Sequence, residues 1–262
     1  MKIIDIHTHI YPDEIAEKAT ASVRKFYRLE NPDMTGTVSQ LLERGAVAGI
    51  ERYVVLPVAI RPDRVQGIND YIVNQTRLHD CFIGFGTVHA KMEGLTDEVE
   101  RIERLGLRGI KMHPDSQGFP IDDPALLPMY EAIQGKLPVM LHMGDPRYDY
   151  SHPARLRRVL DRFPHLQVIA AHFGGYSMYQ TACDLLKDKE ECIFDVSSSL
   201  MIMQPGEAER YIGIYGAERM AFGSDYPIWD PVKELNSFLQ LRLTDDQFEQ
   251  ILCKTAERFF QL

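Results

Sequence analysis

Asp5-Ile6-His7-Thr8-His9 opens the chain with two imidazoles two residues apart, and alternation along a strand puts both on one face, where they can share a metal ion. Nine histidines in 262 residues generate about 0.3 such pairs by chance, so the pair needs support from elsewhere. His113, His142 and His172 supply it by closing three further apolar runs, and Asp225 follows a fourth in Phe222-Gly-Ser-Asp-Tyr-Pro. Residues at the C-terminal ends of parallel strands meet at one face of a barrel although they are far apart in the chain. His79 and His165 fall in connections and His152 at an apparent helix start; these three and His89 receive no catalytic role. No Gly-x-Ser-x-Gly elbow, Walker loop or Gly-x-Gly-x-x-Gly fingerprint occurs, which removes the usual support for serine hydrolase, nucleotide hydrolase and dinucleotide oxidoreductase readings.

The elements that must position these residues are legible as alternation. Short, β-rich apolar runs recur at 2–7, 53–56, 82–88, 109–113, 137–142, 167–172, 192–196 and 220–223, and segments of helical periodicity lie between them. Runs such as Val-Ile-Ala-Ala are apolar on both faces, as buried parallel strands are. Eight such units in this length predict an α/β fold, a (β/α)8 TIM barrel, with a doubly wound open sheet as the structural alternative. A helical insert at 12–29 and a terminal helix at 245–260 stand outside the alternation. No linker or repeat divides the chain, so a single domain over 1–262 is expected.

Composition bounds the rest. The chain is 45% hydrophobic and 26% charged with a mean hydropathy of -0.23, the balance of a soluble globular domain. No apolar run reaches the roughly 18 to 20 residues of a spanning helix, and Asp5 arrives too early for a secretory leader, so a cytoplasmic protein with no membrane partner is expected. A net charge of -9 and a pI near 5.5 argue against nucleic acid as a partner. Cys81, Cys183, Cys192 and Cys253 form no C-x-x-C pair and read as free thiols.

In order along the chain stand Asp-x-His-x-His, Gly-Ile-Lys-x-His-Pro, the strand-ending His142, His172-Phe-Gly-Gly and Gly-Ser-Asp-Tyr-Pro. Over nearly its whole length the chain resembles the amidohydrolase superfamily. More narrowly, it resembles the amidohydrolase-2 branch of metal-dependent hydrolases and of decarboxylases of the aminocarboxymuconate-semialdehyde and resorcylate type. The resemblance implies an enzyme in which His7, His9, His142 and Asp225 surround a divalent ion, usually one zinc, with His172 beside it as acid or base. Two ions, or another divalent metal, are the alternative, in which a carboxylated Lys111 bridges. Imidazoles and a carboxylate suit zinc, and a catalytic zinc keeps one position open.

Two reactions fit such a cage. In the first, a hydrolase, metal-bound hydroxide attacks the carbonyl of an amide, ester or lactone; Asp225 or His172 manages protons, with Asp225 passing the water proton to the leaving group and His172 stabilising the oxyanion. In the second, a non-oxidative decarboxylase (a carboxy-lyase), a small aromatic or unsaturated acid is protonated at carbon and releases carbon dioxide. The substrate is then a small carboxylate or carbonyl compound, and the resemblance also suggests a homodimer.

Lys111 and His113 share a strand face at the edge of the expected site, Lys111 as an interior cation for a carboxylate or substrate anion. Arg147 and Tyr148 come from the loop Gly144-Asp-Pro-Arg-Tyr-Asp-Tyr-Ser, and Trp229 from the loop after the eighth run, where Ser197, Ser198, Ser199, Tyr226 and Ile228 are further lining candidates. The plainer reading of Arg147 is a loop-internal pair with Asp145 or Asp149. The chain departs from the branch in being compact, and in carrying Thr255 where the branch often has Asn near the C-terminus.

Overall fold

The computed structural model describes residues 2–29 and 34–262 and groups the chain into two compact units, Met1–Leu56 with Val196–Leu262, and Pro57–Asp195. In chain order the strands are β1 (Ile3–Thr8), β2 (Ile50–Val55), β3 (Phe82–Gly84), β4 (Gly86–Thr87), β5 (Ile110–Met112), β6 (Val139–Leu141), β7 (Val168–Ala170), β8 (Cys192–Asp195) and β9 (Met220–Ala221). Each falls on a run expected from sequence. β2 starts earlier, at Ile50, and the third run is split in two at Phe85.

In the first unit β1 and β2 pair in parallel, with Asp5 opposite Tyr53 and Thr8 opposite Val55. β1 also carries the segment that follows β9: Ile6 N–H donates to the Phe222 carbonyl, Asp225 N–H to His7 and His9 N–H to Tyr226, at 2.7 to 2.9 Å. The expected insert is the helix Asp13–Tyr27, with acids in its first turn and Arg24 and Lys25 in its last, the arrangement that suits a helix dipole. It is fastened rather than free: buried Arg24 donates to the Met34 carbonyl at 3.0 Å, and Thr20 to the Thr35 carbonyl at 2.9 Å. The terminal helix runs 245–260 through a π-helical stretch, Gln250–Lys254, where the Ile251 carbonyl accepts the Phe222 N–H at 2.9 Å. The end of the chain is thereby docked onto the backbone that leads to Asp225.

The second unit is a parallel ladder in the order β4-β5-β6-β7-β8. Its strands are buried throughout, which explains their unbroken apolar runs. Register is level across the sheet, with Met112 opposite Leu141, Leu141 opposite Ala170 and Ala170 opposite Phe194. His113, His142 and Asp195 are each the next residue beyond that row, so they leave the sheet side by side. Helices Val65–Leu78, Leu95–Arg104, Leu127–Ile133, Pro153–Arg162 and Tyr179–Leu186 alternate with these strands. Among the described residues no helix is long and apolar enough to cross a membrane.

Candidate active site

In the first unit the site residues are gathered by β1 and the turn after β9. His7 Nε2 lies 3.3 Å and His9 Nε2 3.5 Å from the same oxygen, Asp225 Oδ1. The opposite nitrogens are engaged: His9 Nδ1–H donates to the Leu56 carbonyl at 2.6 Å, and His7 Nδ1 lies 3.1 Å from Ser197 Oγ. Because a carbonyl only accepts, neutral His9 carries its proton on Nδ1 and presents a lone pair at Nε2. A nitrogen lone pair aimed at a carboxylate oxygen needs a positive centre between them, a proton or a cation. This donor set fits a divalent metal ion, and the held far nitrogens are the usual support of metal-binding imidazoles.

Asp225 is held as tightly as the histidines. Ser198 Oγ donates to its Oδ2 at 2.5 Å, and Trp229 Nε1–H donates to Ser198 Oγ at 2.9 Å, which leaves Oδ1 turned toward the imidazoles. Asp225 and Ser198 both have positive φ, 58° and 54°. Non-glycine residues hold that conformation only where their surroundings impose it. Asp5 accepts from the backbone N–H groups of His7 and Ser224, both at 3.0 Å, and ties the two segments together. Its other oxygen, Oδ2, is buried. Glu234, from the helix Pro231–Phe238, is buried nearby; burial and the charges of Asp225 and Asp5 push its carboxyl up to about 8, against the pull of the Ser198 backbone N–H.

The second unit brings together His113, His142 and His172. His142 Nδ1 and His172 Nε2 lie 3.0 Å apart, and the ring of His113 stacks on that of His142 with centroids 4.0 Å apart and planes 8° from parallel. His172, at φ 59°, has its backbone N–H on Asp195 Oδ1 at 3.1 Å and its Nδ1 3.9 Å from the same oxygen. Asp115, from the short helix Pro114–Gln117, lies with Oδ2 4.0 Å from His142 Nε2. Burial pushes the Asp115 carboxyl up to about 6, with Ser151 near enough to pull the other way.

The remaining expected residues distribute as follows. Lys111 is buried on β5, opposite Thr87 and Met140. Arg147 forms a two-pronged pair with Asp145, Nε to Oδ1 at 2.9 Å and Nη2 to Oδ2 at 2.6 Å, the loop-internal partner that the plainer reading expects. Tyr148 is exposed beneath the Arg147 guanidinium, and Trp229 reaches Asp225 through Ser198. Of the histidines given no catalytic role, His152 caps the helix Pro153–Arg162 by accepting the Ala154 N–H, and His89 accepts the Lys91 N–H and packs on Phe119. Sequence reading missed Asp115, Asp195 and Glu234. Asp195 had a signal, a carboxylate at the end of a wholly apolar run; Asp115 and Glu234 sit among ordinary helix-start acids and had none.

A family model described as amidohydrolase matches residues 4–262. Among solved structures, an uncharacterized TIM-barrel protein from Bordetella bronchiseptica superposes with a TM-score of 0.82 at 21% identity, covering 100% of this chain and 99% of that one. A dihydroxybenzoic acid decarboxylase from Polaromonas sp. JS666, with bound manganese and the inhibitor 2-nitroresorcinol, gives 0.75 at 16% identity over 100% and 97%. A probable 2-pyrone-4,6-dicarboxylic acid hydrolase from Acinetobacter baumannii, with citric acid bound, gives 0.73 at 18% identity over 100% of both chains. These likenesses show the fold, an α/β TIM barrel, as the alternation of elements predicts.

Proposed function

The chain belongs to the amidohydrolase family, and from that premise we propose that it is a metal-dependent hydrolase of a small carboxylate-bearing amide, ester or lactone. The observation that carries this is the meeting of His7 Nε2 and His9 Nε2 at one oxygen of Asp225, with the His9 proton committed to Leu56. His7, His9, His142 and Asp225 would hold the ion, and three imidazoles with a carboxylate favour one zinc, manganese being the second candidate. Such an ion, when bound, supplies Lewis-acid polarisation of a carbonyl and makes water a nucleophile at neutral pH.

The chain's own residues do the rest. His172, backed by Asp195, takes a proton at Nε2 from the attacking water and returns it to the leaving group; the carboxylate steadies the imidazolium that forms between these steps. Ser198, anchored by Trp229, fixes one oxygen of Asp225 so that the other keeps its direction. Lys111, His113, Tyr148 and Trp229 border the substrate, and Arg147 joins them by exchanging its Asp145 partner for a substrate carboxylate.

A second reading, decarboxylation of an aromatic or unsaturated acid, draws support from the Polaromonas likeness. The same His172 would then deliver its proton to carbon. The deciding experiment incubates metal-loaded protein with lactones and amides of small dicarboxylic acids and with hydroxybenzoic acids, following acid release and carbon dioxide together. Acid without carbon dioxide supports the hydrolase; carbon dioxide from a hydroxybenzoate replaces it with the lyase; neither product, at full metal loading, overturns both.

A further inference from the structure

The group His113, Asp115 and His142 has ligand atoms within 4.8 Å of one another and so has the outline of a metal site. Its geometry argues otherwise. The two rings are stacked 8° from parallel, and a cation bound to an imidazole lies in that ring's plane. Two parallel planes share no point, so no ion is well placed for both rings. The group needs a different account.

Asp115 gives one. Its side chain is fully buried, and neither carboxylate oxygen has a hydrogen-bond partner among the described residues. Ser151 lies near enough to ease its charge, yet a buried carboxylate with no well-formed hydrogen bond is costly, so it points to a partner that closes in a working state. His142 Nε2 stands 4.0 Å from Oδ2, about 1 Å beyond a hydrogen bond, and contacts of this kind often tighten when a site is filled. Everything around Asp115 is fixed: it sits in the helix Pro114–Gln117, where Gln117 donates to the Ala59 and Val88 carbonyls at 2.9 Å and accepts the His113 N–H at 2.8 Å. The His113 ring, itself held by the Ser116 N–H on its Nδ1 at 3.3 Å, covers one face of His142 and limits tilting of that ring.

We propose that Asp115 is a positioning residue for His142: it accepts the proton on Nε2 and so leaves Nδ1, the atom facing His172, as the lone-pair nitrogen. This deepens the reading above, in which His142 is a metal ligand, by naming the ligand atom and the residue that selects it. In the metal-free chain His172 Nε2–H, 3.0 Å away, is then the donor to that His142 Nδ1 lone pair.

The test uses the full chain without metal, because a tautomer can be read there whether or not an ion later binds. Long-range proton–nitrogen correlation spectra of 15N-histidine protein, assigned by the signals lost in His142→Gln, should show His142 protonated at Nε2. Asp115→Ala should move a large share of that proton to Nδ1. Asp115→Asn, which keeps an accepting oxygen and the side chain's shape, should preserve the Nε2 form. Zinc affinity, measured by chelator competition, should fall about 10- to 100-fold in Asp115→Ala and less in Asp115→Asn. Native His142 protonated at Nδ1, or an unchanged tautomer in folded Asp115→Ala, overturns the proposal. A tautomer that shifts as expected in a protein that takes no zinc upholds the role of Asp115 and refutes the metal reading instead.

Discussion

Each compact unit carries a cluster of imidazoles, and the two clusters are backed by different chemistry. Behind His7 and His9 stand a serine hydroxyl and a backbone carbonyl; behind His142 and His172 stand the carboxylates of Asp115 and Asp195. A neutral acceptor fixes a ring's direction and tautomer without changing its basicity much, which suits a ligand. A carboxylate also favours the protonated ring, which suits a group that must pick up and release a proton. The difference bears on His172, whose carboxylate partner suits the proton work proposed for it, while a carboxylate behind His142 is equally compatible with its proposed place among the ion's ligands.

The largest effect that follows concerns the holding cluster. Replacing His7 and His9 together by alanine should strip the metal and reduce turnover to background, read by metal content and initial rate. Retained activity in a metal-free double variant would erase the distinction between the clusters. Next, His172→Ala should keep its metal yet lose roughly 10²- to 10⁴-fold in kcat, the range for losing a general acid–base group. The pH–rate profile should lose one limb with it, and a profile of unchanged shape would deny His172 the proton.

A third prediction concerns stability. The Glu234 carboxyl is raised from 4.5 to about 8, so between those values the unfolded chain has released a proton that the folded chain retains. Folding stability from this group is therefore greatest below about pH 4.5 and is lost as pH rises toward 8. Glu234→Gln, which has no proton to lose, should be more stable than the native metal-free chain by about 4 kcal/mol at pH 8 and no more stable at pH 4. Denaturant titrations at both pH values check this, and an equal difference at both would show that burial does not hold the carboxyl neutral. The smallest effect should be that of Ser198→Ala, which frees one oxygen of Asp225 and weakens metal binding about 10-fold with little change in the His172 limb of the pH profile. A change in that limb would couple the two clusters more closely than their separate partners imply.

The strands, the major helices and the strand-end placement of the histidines were legible in the sequence because each depends on local pattern. Buried parallel strands read as apolar runs; His113 and His142 follow directly on two of them, and His172 follows a third with one residue between. The partners were not legible. Asp115 looks like one more acid at a helix start, and Glu234 like one more charge in a helix, until packing closes over them. Arg147 shows the same limit from the other side, since a guanidinium in a candidate loop reads equally as a substrate clamp or as the partner of Asp145, and only three-dimensional geometry reveals that pairing. What the strand-end pattern conveys is which side chains are brought together; what it omits is the second layer that sets their protons.

The central claim is that His7, His9, His142 and Asp225 hold one ion while His172 does not. The most direct test is metal content per chain, by elemental analysis, in the native protein, in the His7→Ala/His9→Ala double variant and in His172→Ala, all refolded or grown with zinc and manganese in excess. The account predicts about one divalent ion per chain in the native protein and in His172→Ala, and none in the double variant. A native protein that takes up no metal, or a His172→Ala variant that loses it as completely as the double variant, would contradict it.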